Sequence, residues 1–215
     1  MALERTSLVP PLFGDGHGRY RIHIVGNSGV GKSTLGAELA STLGLPFMPL
    51  DKIYWKPDWE TSSHEQLREI VREFLVQHKN GWIIDGNYRS ALGHMVDTEA
   101  TDTIWLDPPL ALYFPRICVR TFRRLFRLDP PCSPGCEESI REIFFSRESI
   151  LWWCLTNHMV VRKRERENFR TNGIHVGGTY RRIGGWGREL SVWKASVRDL
   201  AAAQHVPDRG RFVAA

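Results

Sequence analysis

Residues 26 to 34 read GNSGVGKST, and no other stretch of the 215-residue chain limits its fold so tightly. Gly26, Gly31, Lys32 and Ser33 fit the phosphate-binding pattern G-x-x-x-x-G-K-[ST]. Its glycines let successive backbone N–H groups curl round an anion with no side chain in the way. The lysine reaches the outer phosphates, and the serine hydroxyl suits Mg²⁺, a hard cation that takes oxygen ligands. That chemistry needs a strand ending at the first glycine and a helix starting at the lysine. The run Tyr20 to Val25 supplies the strand, and Leu35-Gly36-Ala37-Glu38-Leu39-Ala40 continues the helix. Gly26, Asn27, Ser28, Gly29, Val30, Gly31, Lys32, Ser33 and Thr34 therefore form a candidate nucleotide cradle, with Ser33 on the metal.

The rest of the chain extends that unit. Pro46 to Leu50 is a short extended run leading to Asp51, Gly81 to Asp85 is an apolar strand closed by an acid, and Thr103 to Asp107 repeats the design before Pro108-Pro109. Between them, Leu67, Ile70, Val71, Phe74 and Leu75 recur at helical spacing from Ser63 to His78, with Ser62 or Ser63 as N-cap. Strands apolar on both faces, alternating with helices, predict an α/β fold whose parallel sheet is covered on two sides. Ligands of such sheets sit at the carboxyl ends of the strands. The loop, Asp51, the stretch Asp85 to Arg89, and Asp107 should then share one edge. Asp85 could hold Mg²⁺ directly or through a water, and Asp51 could orient or deprotonate an acceptor hydroxyl.

Charge is unevenly spread. Residues 1–107 hold 10 Lys and Arg against 14 Asp and Glu, and residues 108–215 hold 19 against 10, so the second half favours anionic partners. Nucleotide phosphates would satisfy it, and so would a nucleic-acid backbone. In the predicted helix Leu110 to Leu128, Arg116, Arg120, Arg123 and Arg127 share one face, with Arg124 beside them and no acid between Asp107 and Asp129. Such a stripe reads as phosphate-binding. An exposed loop follows from Asp129 to Cys136. A second long helix is expected from near Glu137 to the basic run Arg162 to Arg166, with Trp152 and Trp153 in packing roles. Thr179 to Ala203 reads as a short strand or loop and a closing helix from Glu189.

Residues 1–18 lack a periodic pattern and read as a leader, flexible or docked at the periphery, leaving 19–215 as one domain with a lid around 128–140. No stretch suits a membrane span. Cys132 and Cys136 could make half a metal site with His158, but no second close pair accompanies them. Reduced thiols in a cytoplasmic protein are the simpler reading. Monomer and homodimer both stay open.

Together, GNSGVGKST, Leu50-Asp51-Lys52-Ile53-Tyr54-Trp55, Gly81-Trp82-Ile83-Ile84-Asp85-Gly86-Asn87-Tyr88-Arg89 and the arginine helix resemble the adenylate-kinase-like P-loop proteins known as the DNA topology modulation family. The resemblance implies a three-layer, nucleoside-monophosphate-kinase type core with a five-stranded parallel sheet, a mobile lid, and ATP with Mg²⁺. By the same likeness Asp85 lies near the metal, Arg89 meets an acceptor phosphate, and Arg116 and Arg120 act on the transferring phosphates. Arg123 and Arg124 stand beside them, and Asp51 with Trp55 falls on the acceptor side. Asn87-Tyr88 replaces the aromatic–proline pair usual in monophosphate kinases, which leaves the acceptor open. The expected activity is phosphate transfer from ATP to a small acceptor; the alternatives are a nucleotide-gated nucleic-acid module and a nucleotide switch.

Overall fold

Five runs of mostly apolar and β-branched residues pair in parallel to form one sheet, in the order β2-β3-β1-β4-β5. The computed structural model describes residues 9–131, 133–136 and 149–204. Its strands are β1 (Arg21–Gly26), β2 (Phe47–Pro49), β3 (Trp82–Asp85), β4 (Asp102–Asp107) and β5 (Tyr180–Gly184). Parallel neighbours cannot be joined by hairpins, so helices carry the chain back. These are α1 (Lys32–Leu43), α2 (Leu50–Tyr54), α3 (His64–Gln77), α4 (Arg89–Leu92), α5 (Met95–Glu99), α6 (Leu110–Leu125), α7 (Ile150–Asn172) and α8 (Arg188–Gln204). Ser63 caps α3 through a capping box with Gln66, resolving the choice between the two serines.

Alternation along β1 divides the core. Ile22 and Ile24 join Leu35 and Leu39 of α1 and Trp193 and Val197 of α8. Val25 instead packs with Trp105, Tyr180 and, from α7, Phe169. A third cluster, around Leu50, Leu67, Val71, Trp82 and Ile84, seats α3 beside the β2–β3 edge. The five-stranded, helix-flanked parallel sheet is the α/β architecture that the loop demanded.

Three expectations need correction. Val9 and Leu12 belong to the core, so of the two readings of the leader the docked one holds for 9–18, and the docking reaches the core rather than the periphery. The cause is an ion pair invisible in sequence: Arg181 and Asp102 meet at 2.5 Å, fully buried. Arg181 Nε donates to the carbonyls of Pro10 and Pro11, and Asp102 accepts from the backbone N–H groups of Phe13 and Gly14. Secondly, α6 ends at Leu125, and Arg127 adopts a left-handed φ of 56° beyond it, so the fourth arginine of the stripe is off the helix. Thirdly, Trp152 is 54% exposed and Trp153 38%, whereas α7 buries Cys154, Val161 and Glu165. The expected helix start at Glu137 lies outside the described residues, as does Cys132; among the described residues no cluster of His, Cys, Asp and Glu could hold a metal.

Candidate active site

The loop after β1 is shaped by close neighbours. Gly26 has φ +142°, and a Cβ there would lie 2.6 Å from the carbonyl oxygen of Leu106. Gly29 has φ +79°, and a Cβ would lie 2.2 Å from Ile117 of α6. The backbone can coil this tightly only without side chains. Val30 points into the core, leaving its backbone to the cradle. No side chain caps α1 and its first turn holds no acid, so its N–H groups and positive dipole end face the loop unopposed. Lys32 Nζ donates to the carbonyls of Gly26 (3.2 Å) and Asn27 (3.0 Å), folding across the cradle.

Asp85 is the electrostatic centre. It is 1% exposed, lies within the electrostatic reach of the Ser33 hydroxyl and the Leu50 backbone N–H, and keeps Oδ2 without a hydrogen-bond partner. Burial pushes its carboxyl up from the usual range, against the opposing pull of Ser33 and Lys32, and the charge of Asp51 adds to the rise. Asp51, in the first turn of α2, thus shares one field with Asp85, Ser33 and Lys32. A buried carboxylate oxygen without a partner, beside a hydroxyl, is a donor set suited to a hard divalent cation. These residues fit Mg²⁺.

Several residues without a motif complete the site. Asn87 brackets the first glycine, its Oδ1 accepting from Gly26 N–H (3.1 Å) and its Nδ2 donating to Gly26 C=O (2.6 Å). Tyr88 donates its hydroxyl to Asp51 Oδ1 at 2.6 Å. Asn27 is 4% exposed and donates to the Tyr113 hydroxyl (2.7 Å) and to the Cys154 carbonyl (3.1 Å). Tyr113 in turn meets His158 Nδ1 at 2.8 Å. Burial, then Arg162, holds the His158 imidazole below its ordinary range, which favours the neutral ring beside Tyr113. Asn27 belongs to the loop already read as a cradle and Asn87-Tyr88 stood out in the sequence; His158 was expected only as a partner of Cys132 and Cys136, and Tyr113 carried no signal.

The arginines divide. Arg116, Arg120 and Arg123 line one groove of about 380 Å³ with Pro115 and Val119, as their spacing predicted. Arg123, however, is held by both oxygens of Asp129 at 2.9 Å, so the stretch is less free of acid than the sequence spacing implied. Arg124 donates to the Pro130 carbonyl. Arg89 pairs with Asp97 at 2.5 Å and with Asn168 Oδ1 at 3.2 Å. Burial alone would raise the Asp97 carboxyl, but His23 and Arg89 outweigh it and hold it well below the usual range. Asp107 lies at the strand ends but is clasped by Arg162 and Arg182, and Arg164 pairs with Glu165, which occupies much of the basic run. The Trp55 ring packs against Tyr54 and Trp59, and its carbonyl accepts from Ser133 at 2.8 Å. Within the expected lid, the Ser133–Cys136 turn also reaches Lys56 and Asp58 through Cys136 Sγ and the Gly135 carbonyl.

No protein-family profile matches the chain, and no curated protein matches it in sequence. Among solved structures it is similar to a gluconokinase from Sinorhizobium meliloti 1021, at 15% identity and TM-score 0.46 over 86% of this chain and 97% of that one. It is also similar to a shikimate kinase from Bacteroides thetaiotaomicron, at 18% identity and TM-score 0.45 over 86% and 98%.

Proposed function

We propose that the chain is a phosphotransferase that binds Mg-ATP in the loop Gly26 to Thr34 and passes the γ-phosphate to a small acceptor. The observation that carries this reading is the union of Ser33, Lys32, Asp85 and Asp51 in one electrostatic site at the carboxyl edge of the sheet. Bound Mg²⁺ would be held by Ser33 and Asp85, and it supplies neutralisation of phosphate charge. The protein's own share is positioning and a dry field. Backbone N–H groups of the loop and α1 take the β-phosphate, Lys32 exchanges its carbonyl partners for phosphate oxygens, and Arg116 and Arg120 meet charge that develops on the transferring group. A lid around 128–140 belongs to the same unit as the cradle, with Arg123 and Arg124 near its root.

The likeness to the DNA topology modulation family rests on the Asp51–Trp55 and Asp85–Arg89 segments and fits a kinase-type core. A nucleic-acid role is the weaker reading, because Arg162 and Arg164 already answer Asp107 and Glu165. Among the described residues no helix is long and apolar enough to cross a membrane. Cys118, Cys136 and Cys154 are free thiols, which fits the reducing cytoplasm.

Isothermal calorimetry with ATP in the presence and absence of Mg²⁺ tests the reading. Wild type should take up nucleotide in a Mg²⁺-dependent way, and Lys32→Ala should weaken it at least tenfold, since a charge-assisted bond is worth about 1.5–3 kcal/mol. No uptake by the folded wild type would remove the proposal.

A further inference from the structure

The acceptor can be narrowed from the surroundings of Asp51, taking the phosphotransferase reading as the premise. We propose that the acceptor is an alcohol on a molecule with an apolar ring face, a sugar or the ribose of a nucleoside, and not a phosphomonoester. Asp51 takes the hydroxyl proton and Tyr88 positions Asp51.

Charge argues first. An acceptor phosphate would enter a site already holding the carboxylates of Asp51 and Asp85, whose interaction is repulsive. Arg89, the arginine nearest in sequence to offset it, is committed to Asp97 and Asn168, with the charge of Glu165 also close. Asp97 is itself shared with His23 at 2.9 Å, so this cation belongs to a closed network. Withdrawing Arg89 from it would leave Asp97 undercompensated in a half-buried place, which costs more than a phosphate contact at the surface returns.

Geometry argues second. Tyr88 occupies Asp51 Oδ1 and leaves Oδ2 to a hydroxyl. Tyr88 and Tyr54 lie 4.7 Å apart, Tyr54 and Trp55 5.1 Å, and Trp55 and Trp59 5.6 Å, a chain of rings joined to the carboxylate through Tyr88. Half-exposed aromatic faces beside an acid suit the C–H face of a sugar or a stacked base. In the transfer, the acceptor oxygen bonds to the γ-phosphorus, the bond from that phosphorus to the β,γ-bridging oxygen breaks, and ADP leaves with the electron pair. The hydroxyl proton passes to Asp51 and then to solvent.

The test is transfer of ³²P from γ-labelled ATP to three panels: nucleoside monophosphates, nucleosides, and neutral or acidic sugars with polyols. Label on a nucleoside or a sugar alone supports the proposal, and the two alcohol panels tell those sources apart. Label on a monophosphate overturns it, and so does the absence of label from every alcohol by enzyme that takes up Mg-ATP in calorimetry. Enzyme that takes up no Mg-ATP fails at the earlier, nucleotide-binding step instead. With the labelled alcohol, Asp51→Asn should lower kcat by about 10²-fold or more. Tyr88→Phe should lower kcat about tenfold with acceptor KM nearly unchanged, whereas Trp55→Ala should raise KM with kcat kept. Equal losses in KM for Tyr88→Phe and Trp55→Ala, with Mg-ATP affinity intact, would overturn the positioning role.

Discussion

Asp85 holds a charge that the folded chain accommodates poorly. Its carboxyl titrates above the ordinary value of 3.8, so the unfolded chain gives up that proton more readily than the folded one. Ionisation therefore lowers stability as pH rises above about 3.8, and the deficit grows until pH passes the folded value. Asp85→Asn should raise the neutral-pH Tm by a few degrees, at roughly 2–4 °C per kcal/mol for a chain of this size, while abolishing Mg²⁺-dependent nucleotide uptake. Scanning calorimetry reads the first effect and titration the second; a lower Tm would contradict this account of the site. His158 has the opposite sense for a base. Its folded value lies below 6.5, so the stability gained from the neutral ring beside Tyr113 is fully present above about pH 6.5 and is lost as pH falls through the folded value. Nucleotide affinity should weaken in that acid range, and Tyr113→Phe should weaken it at neutral pH while flattening the pH dependence. Removing that hydroxyl leaves one buried Asn27 N–H without its partner, at a cost of about 1–3 kcal/mol, while the bond to the Cys154 carbonyl remains.

At the scale of elements, the loop is shaped as much by α6 as by its own glycines. Tyr113, Ile117 and Thr121 form the buried stripe of α6, and Ile117 fills the place where a Gly29 side chain would stand. Gly29→Ala should lower ATP affinity at least tenfold. Adding Ile117→Ala should restore part of it and not all, because the left-handed φ still costs an L-residue about 1–2 kcal/mol. Titration of the single and double variants separates crowding from backbone strain; full rescue would mean that the φ value carries no cost. The arginine stripe lies beside this same buried stripe, and Arg116, Arg120 and Arg123 line a groove of their own with Asp129.

For the molecule as a whole, the pair Arg181–Asp102 ties the β4–β5 edge to residues 9–14. Both side chains are 0% exposed, so breaking one partner leaves an uncompensated buried charge. Asp102→Asn should cost about 3–5 kcal/mol in urea unfolding and open the segment around Pro10–Gly14 to protease, while replacement of both partners by apolar residues should cost less than the single change. An unchanged unfolding midpoint for Asp102→Asn would show that the pair contributes little. On the other face, α7 meets the sheet through Glu165, bonded to Tyr180, and Arg162, which shares Asp107 with Arg182, so that layer is partly polar.

The order of strand, loop and helix, the parallel sheet, and the strand-end positions of Asp51 and Asp85 were written in local pattern: spacing of glycines, periodicity of apolar residues, and acids following apolar runs. Backbone stereochemistry and burial act over a few residues, which is why a linear reading recovers them. The partners of the charged and polar side chains were decided only by tertiary structure. Arg89 found Asp97 and Asn168 through the packing of α5 and α7, Asn27 found Tyr113 across 86 residues, and Arg181 drew residues 9–14 into the core. Each choice depends on which groups are desolvated together, and that is settled when the layers close.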